Sequence, residues 1–381
     1  MRIAIVNLTG GGFSGGYRKY LLNLAPVLQR DPRVSEAVYF VHESLQHTPG
    51  LETVKLQTWP ARDHWFGYRR LKAAIRAFGP DVVFIPSARW LSLGGMPTVV
   101  MVRNMEPLEV PFGGNPMVER LKNILRAREA KKACTSATRV IAVSNHVRDF
   151  LTTRWSVSPN KVGMVYHGID AAAGELEAER PPSVGELVPG EFIFTAGSIR
   201  PARGLEDLVG AIGILAKTGQ VRPAVIAGGV DAGMGFCKQN LDHMAAKLDV
   251  KEHLVWAGKL SPAQMAWCYR HCALFVMTTR AEACPNTALE AMSHGCLSVA
   301  TDKAPLPEFF ERSAVFYHGG DARGLAEGIG RALHCVPEEQ QRLRAAAKAR
   351  ASQFRWDDTA RLTIAELARA ASAKGTGATP I

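Results

Sequence analysis

Residues 274–301 read LFVMTTRAEACPNTALEAMSHGCLSVAT. The apolar run Leu274 to Met277 predicts a buried strand, a polar loop follows, and a helix is expected from about Asn286 to His294 before a second strand. Pro285 suits the first helical turn, where a missing N–H costs nothing, and Gly295 suits the left-handed position that ends a helix. Two carboxylates, Glu282 and Glu290, are separated by seven residues across the loop-to-helix junction. At about 1.5 Å rise per helical residue, one lies in the loop mouth and the other roughly one turn down the helix. Both then face the region above the C-terminal strand ends, where open α/β sheets bind ligands. Spacing alone leaves a plainer reading open, a solvated loop acid and an exposed helix acid.

Downstream come TDKAPLPE at 301–308 and GGDARGLAEGI at 319–329. The ordered run E-ACPNTAL-E-AMSHG, TDKAPLPE, GGDARGLAEGI resembles the donor-sugar segment of retaining glycosyltransferases of family 4, which have the GT-B fold. The resemblance implies an α/β protein of two doubly wound, Rossmann-like domains facing across a cleft, with a C-terminal helix that crosses back to the N-terminal domain.

Length and composition agree with that class. A chain of 381 residues has room for two cores, and 47% hydrophobic with 21% charged residues is a soluble globular mix. No apolar run reaches the roughly 18 residues of a membrane span. MRIAIVNLTGGG reads as a first strand and turn rather than a signal peptide. Seven dispersed cysteines form no paired framework, which favours a reducing, cytoplasmic compartment. Cys268 and Cys272, with His271 between them, have no partners at ligand spacing and read as helix packing rather than a metal site. The net charge of +11 favours anionic partners. No nucleic-acid motif accompanies it, so the expected partners are a nucleotide ligand and an anionic membrane surface, approached peripherally.

In the N-terminal half RIAIVNL is a strand, GGGFSGG a turn, and YRKYLLNLAPVLQR a helix. Gly15 and Gly16 match the glycine pair that the family carries near the donor diphosphate; a tight βα turn is the alternative. Further strands are expected at about 37–42, 53–57, 81–85, 98–102 and 139–143. Two basic segments, residues 59–78 with Trp59, Trp65, Phe66 and Tyr68, and the helix expected over 116–132, suit a bilayer surface or an ordinary solvated helix face. After the TVVMV strand many relatives place a histidine. This chain reads VRNMEPLE, so Arg103, Asn104 and Glu106, with Glu109, become the acceptor-side candidates. His167 replaces the family's usual asparagine and reads as structural.

The chain turns to Ala, Glu, Pro and Gly over 171–190, which marks a connection. The expected organisation is an N-terminal acceptor-side domain at 1–172, a linker at 173–190, a nucleotide-sugar domain at 191–352, a returning helix at 353–371 and a disordered tail at 372–381. FIFTAGSIRPARGLEDLVGAI opens the second domain. The resemblance assigns Arg203 to the family's diphosphate-binding lysine; the family's arginine position is Ser198 here, with Arg200 as a compensating neighbour. A guanidinium can fork onto two phosphate oxygens and neutralise charge on a leaving diphosphate. Gly228 and Lys259 fall near the expected base site.

The resemblance thus implies transfer of a mannose- or rhamnose-like hexose from a nucleotide diphosphate sugar to a glycan or lipid-linked acceptor, with retention. Glu282 would meet the sugar, Glu290 the ribose, Arg203 the diphosphate, and the backbone of Ala283, Cys284, Pro285 and Asn286 would border sugar and phosphate. No metal and no bound cofactor are expected. A nucleotide-sugar epimerase or hydrolase, and a non-catalytic nucleotide-sugar-binding partner, are the alternatives.

Overall fold

The computed structural model describes residues 1–8, 15–47, 54–109, 114–169, 177–231 and 233–373. The glycine-rich turn at 9–14, residues 170–176 of the connection and the tail from 374 lie outside the described residues. The chain divides into two compact units, one of Met1–Pro107, Leu121–Gly168 and the chain from Arg355, the other of Leu108–Arg120 and Ile169–Phe354.

Among the described residues of the first unit, seven strands form one sheet: β1 (Arg2–Val6), β2 (Glu36–His42), β3 (Leu56–Trp59), β4 (Val82–Ile85), β5 (Thr98–Val102), β6 (Arg139–Ala142) and β7 (Val162–Met164). Their order is β3-β2-β1-β4-β5-β6-β7, and every pairing is parallel. The apolar runs RIAIV and VVFI are buried almost without interruption, as strands covered on both faces must be. β7 was not among the expected strands; three residues of mixed character carry too little periodicity to announce it.

The helix Trp356–Ser372 belongs to this unit. Thr363 Oγ1 and Tyr20 Oη are 2.9 Å apart, Thr359 Oγ1 donates to the Tyr166 carbonyl at 2.8 Å, and Glu366 pairs with Arg139. Two glycines admit the helix closely: a Cβ on Gly163 would lie 2.2 Å from the Glu366 side chain, and one on Gly168 2.2 Å from the Trp356 nitrogen. The helix that returns in sequence is therefore locked by hydroxyls, an ion pair and missing side chains.

The second unit holds six further strands among its described residues: β8 (Ile193–Ala196), β9 (Ala224–Ala227), β10 (Leu254–Gly258), β11 (Leu274–Met277), β12 (Ser298–Thr301) and β13 (Val315–Tyr317). The order is β10-β9-β8-β11-β12-β13, again all parallel. In both sheets the strand order reverses in the middle, between β1 and β4 and between β8 and β11, the signature of a doubly wound fold. One face of the second sheet is sealed by an apolar cluster that includes Leu208, Ile212, Val276, Val299, Leu325 and Ile329. Residues 177–190 are tied into this unit, with Glu179 N–H donating to the Ala263 carbonyl and Gly190 N–H to the His271 carbonyl.

Candidate functional site

Two loops leave the sheet at the reversal point of the second unit, Gly197–Gly204 after β8 and Thr278–Pro285 after β11. They are stitched together. Thr278 Oγ1 donates to the Arg203 carbonyl at 2.7 Å, Thr279 Oγ1 to the Ala202 carbonyl at 3.1 Å, and Arg280 N–H to the same Ala202 carbonyl at 2.8 Å. Gly204 makes the approach possible: its φ is +60°, and a Cβ there would lie 2.4 Å from the Thr278 carbonyl oxygen.

Across this seam Arg203 Nη1 meets Glu282 Oε1 at 2.5 Å. The guanidinium also lies over Gly197, whose φ is +137° and where a Cβ would come within 2.6 Å of Arg203 Cζ. Gly197 in turn abuts Gly228, whose missing Cβ would sit 1.9 Å from the Gly197 carbonyl oxygen. The glycines of FIFTAGS and AVIAGG thus let three loops converge on one arginine. The enclosed space among Thr195, Gly197, Arg203, Met277 and Thr279 is about 10 Å³, about one water. Arg203 lines this crevice while paired with Glu282, so an anionic ligand would compete with Glu282 for it.

The expected helix runs Asn286–Ser293, with Gly295 at φ +68° closing it. Of the backbone N–H groups expected to aim at a ligand around 284–286, Pro285 has none, and that of Asn286 donates to the Cys284 carbonyl at 3.0 Å. The Asn286 N–H is thus already engaged within the turn. Within the loop, Ala283 and Cys284 are buried.

Glu290 stands on the helix and accepts from Tyr269 Oη at 3.0 Å. Tyr269 is walled in by Phe194 and Phe275 and stacked on His294. Burial, and then the Glu290 charge, push its phenol far above the ordinary range, so it stays a donor and holds the carboxylate in place. Arg200 is paired with Asp231 after β9, and Ser198 lies half-buried on the same loop.

The third support came from a residue not singled out in the sequence. Asp207, 4% exposed, accepts from Tyr317 Oη at 3.0 Å, from Gly320 N–H at 2.8 Å and from Arg280 at 3.2 Å. It joins the helix after Arg203 to the loop after β11 and to the glycine pair before Asp321. An acid in the first turn of a helix is ordinary, so only its three-way satisfaction in space reveals the role. The threonines Thr278 and Thr279 were legible in principle as hydroxyls directly following a buried strand.

The remaining candidates lie in the first unit, apart from Glu109 and the opening turn of the second basic helix, which fall in the second. Gly15 and Gly16 begin the helix Gly15–Arg30. The Arg103 guanidinium sits 3.9 Å above the Tyr17 ring, where burial lowers its pKa. Asn104 Oδ1 accepts from Glu106 N–H at 3.0 Å and so starts the short helix Glu106–Glu109. His167 is buried between the rings of Tyr20 and Trp356. The second basic helix is Met117–Ser136, and it exposes Met117, Val118, Leu121 and Leu125. Among the described residues no group of three or more His, Cys, Asp or Glu could hold a metal ion. Burial pushes the Cys268 thiol up to about 12 and its neighbour Cys272 is also buried, as helix packing requires.

Family models settle the lineage. Residues 179–350 match the model for glycosyl transferases group 1, and residues 14–173 that for glycosyltransferase family 4. The chain belongs to the group 1, family 4 glycosyltransferases. Among curated relatives, D-inositol 3-phosphate glycosyltransferase of Streptomyces scabiei is 26% identical over 237 residues, 60% of this chain and 53% of that protein. The serotype-specific mannosyltransferase WbdA of Escherichia coli is 27% identical over 201 residues, 52% of this chain and 24% of that protein. The alignment with the first of these spans about half of that relative's length. The fold is that of Anabaena HepE, solved in complex with UDP, at a TM-score of 0.74 and 17% identity over 97% of this chain and all of that one. A glycosyltransferase from Rickettsia africae superposes at 0.73, with 14% identity and 99% of each chain covered. The GT-B architecture expected from the sequence is the architecture found.

Proposed function

We propose that this family 4 member transfers a mannose- or rhamnose-like hexose from a nucleotide diphosphate sugar to a glycan or lipid-linked acceptor of a bacterial surface polysaccharide, with retention at the anomeric carbon. The observation that carries this reading is the Arg203–Glu282 pair at the reversal point of the second sheet. A cation and a carboxylate held together there suit a ligand that is anionic at one end and hydroxylated at the other. On donor binding, Arg203 would turn from Glu282 to the diphosphate, and Glu282 would accept from sugar hydroxyls. Glu290, already oriented by Tyr269, would accept from the ribose hydroxyls.

In the step itself the bond from the anomeric carbon to the diphosphate oxygen breaks, and a bond to the acceptor oxygen forms on the same face of the sugar. The acceptor proton passes to the departing phosphate oxygen, and the nucleoside diphosphate leaves. Charge grows on that diphosphate as the bond breaks, so a guanidinium preset over Gly197 lowers the barrier without a metal ion. UDP is the first base to test, because HepE was solved with it, and mannose the first sugar, because WbdA is a mannosyltransferase.

The test is product analysis with labelled donors and a panel of lipid-linked and free glycan acceptors. A new glycoside of unchanged anomeric configuration supports the reading. Free or isomerised sugar without a glycoside, in a protein that binds the donor, would overturn it in favour of a hydrolase or epimerase.

A further inference from the structure

The loop between β3 and the helix Arg69–Phe78 carries an aromatic pair that the fold does not use. Trp65 is 90% exposed and Phe66 65%, on a segment whose base is held by hydrogen bonds and ring contacts. Asp63 is buried, and its carboxylate accepts from Arg70 N–H at 2.9 Å and Leu71 N–H at 2.8 Å, capping the helix from a distance. Tyr68 packs edge-on against Trp59 at 5.5 Å and its hydroxyl is 3.1 Å from His64 Nδ1. Gly67 and Tyr68 both take left-handed backbone, which turns the chain back after the tip. An anchored turn that holds a tryptophan and a phenylalanine in water keeps apolar surface exposed that a flexible loop could fold away.

The charge around that tip is one-sided. Residues 61–79 contain Arg62, Arg69, Arg70, Lys72 and Arg76, and one carboxylate, Asp63, which is buried. None of the five cations forms an ion pair with a described residue, whereas Arg2, Arg33 and Arg148 of the same unit each do. Leu71 and Ile75 face the core, so Arg69, Ala73 and Arg76, spaced for one helix face, point outward with a small alanine between the guanidinium groups.

We infer that this element is a docking surface for an anionic lipid bilayer: Trp65 and Phe66 enter the headgroup boundary and the arginines beside them meet lipid phosphates. Tryptophan and phenylalanine at the tip suit that interface, and unpaired cations suit its negative surface potential. A second copy of this chain, with a net charge of +11, offers poor complementarity to five cations. A nucleic acid would be met by the cations but gives no reason for an adjacent Trp-Phe pair at the apex of a narrow turn. The surface lies wholly in the first unit, and the inference holds whether or not the transferase reading does.

The experiment is sedimentation of the full chain with phosphatidylcholine vesicles, and with vesicles carrying phosphatidylglycerol, at low and high salt. Wild type is expected to pellet at least about tenfold more with the anionic vesicles, and to be released by salt. R69A/R70A should weaken binding about 25-fold, about fivefold for each cation removed, and W65A/F66A about tenfold or more. All these side chains are exposed, so melting temperature and donor-induced stabilisation should match wild type, which separates this test from that of the donor site. Equal pelleting with neutral and anionic vesicles, or unchanged pelleting of both variants, would overturn the inference. So would retention on RNA, or self-association, abolished by the same substitutions while vesicle binding survives.

Discussion

Arg203 and Glu282 belong to loops that follow two different strands, β8 and β11, and meet at 2.5 Å where the sheet reverses. Their side chains are 24% and 16% exposed, a half-buried pair reached from one side by solvent. Its geometry rests on Gly197 and Gly204 beneath it and on two threonine hydroxyls that tie the loops. The pair is thus a feature of the fold before it is a feature of a ligand complex.

Removing either partner should disable the site at a modest cost to the fold. Glu282→Ala and Arg203→Ala are each expected to lower transfer by about a hundredfold or more, the scale of a lost transition-state contact. Both side chains are mostly buried, so the survivor is left without its ionic partner and a cost of about 1–3 kcal/mol is expected. Steady-state kinetics together with thermal melts check both halves, and wild-type rates in folded variants would refute the assignment.

Gly197→Ala tests the cradle without touching a charge. The new methyl would lie within 2.6 Å of the Arg203 guanidinium, on backbone at φ +137°. Arg203 must shift, and donor affinity should fall about tenfold or more. Gly228→Ala meets a carbonyl oxygen at 1.9 Å instead, which no side-chain motion relieves. It should destabilise the second unit by about 2 kcal/mol or more, read as a lowered melting temperature.

Tyr269→Phe removes the hydroxyl that the aromatic wall presents to Glu290 and keeps the ring packing. The expected result is a loss of about 1 kcal/mol in stability and weaker donor binding, with the effect confined to KM. A drop in kcat alone would contradict a ribose role for Glu290.

Asp207→Ala should be the most damaging to the fold of this set. It leaves Arg280, Tyr317 Oη and Gly320 N–H without their shared acceptor. A loss of about 3 kcal/mol is expected, since breaking a buried charge network strands its members. Chemical denaturation measures it, and a change below about 1 kcal/mol would show that water replaces the carboxylate.

The sequence made both α/β halves readable because parallel strands covered on two faces are short apolar runs followed by glycine turns, as in RIAIV, FIFTAG and LFVM. The glutamate spacing singled out this loop and helix because a strand, a loop and a helix of fixed rise leave few places for Glu282 and Glu290. What remained hidden was pairing through space. Nothing in the string ties Arg203 to Glu282, Asp207 to Tyr317, or Tyr269 to Glu290, because each contact joins residues from separate βα units. Arg103 illustrates the converse. Its place after β5 suggests a ligand contact, yet an aromatic ring from the first helix lies under its guanidinium. The short β7 and β13 escaped because three residues show no period.

The central claim is that a nucleotide diphosphate sugar binds where β8 and β11 diverge and separates Arg203 from Glu282. Thermal shift of wild type and Arg203→Ala against UDP-, GDP- and dTDP-sugars tests it most directly. At a donor concentration of about 100 times Kd, binding should add about 2.7 kcal/mol to the stability of wild type, and little or nothing to that of the variant. No response to any donor, or an equal response in the variant, would contradict it.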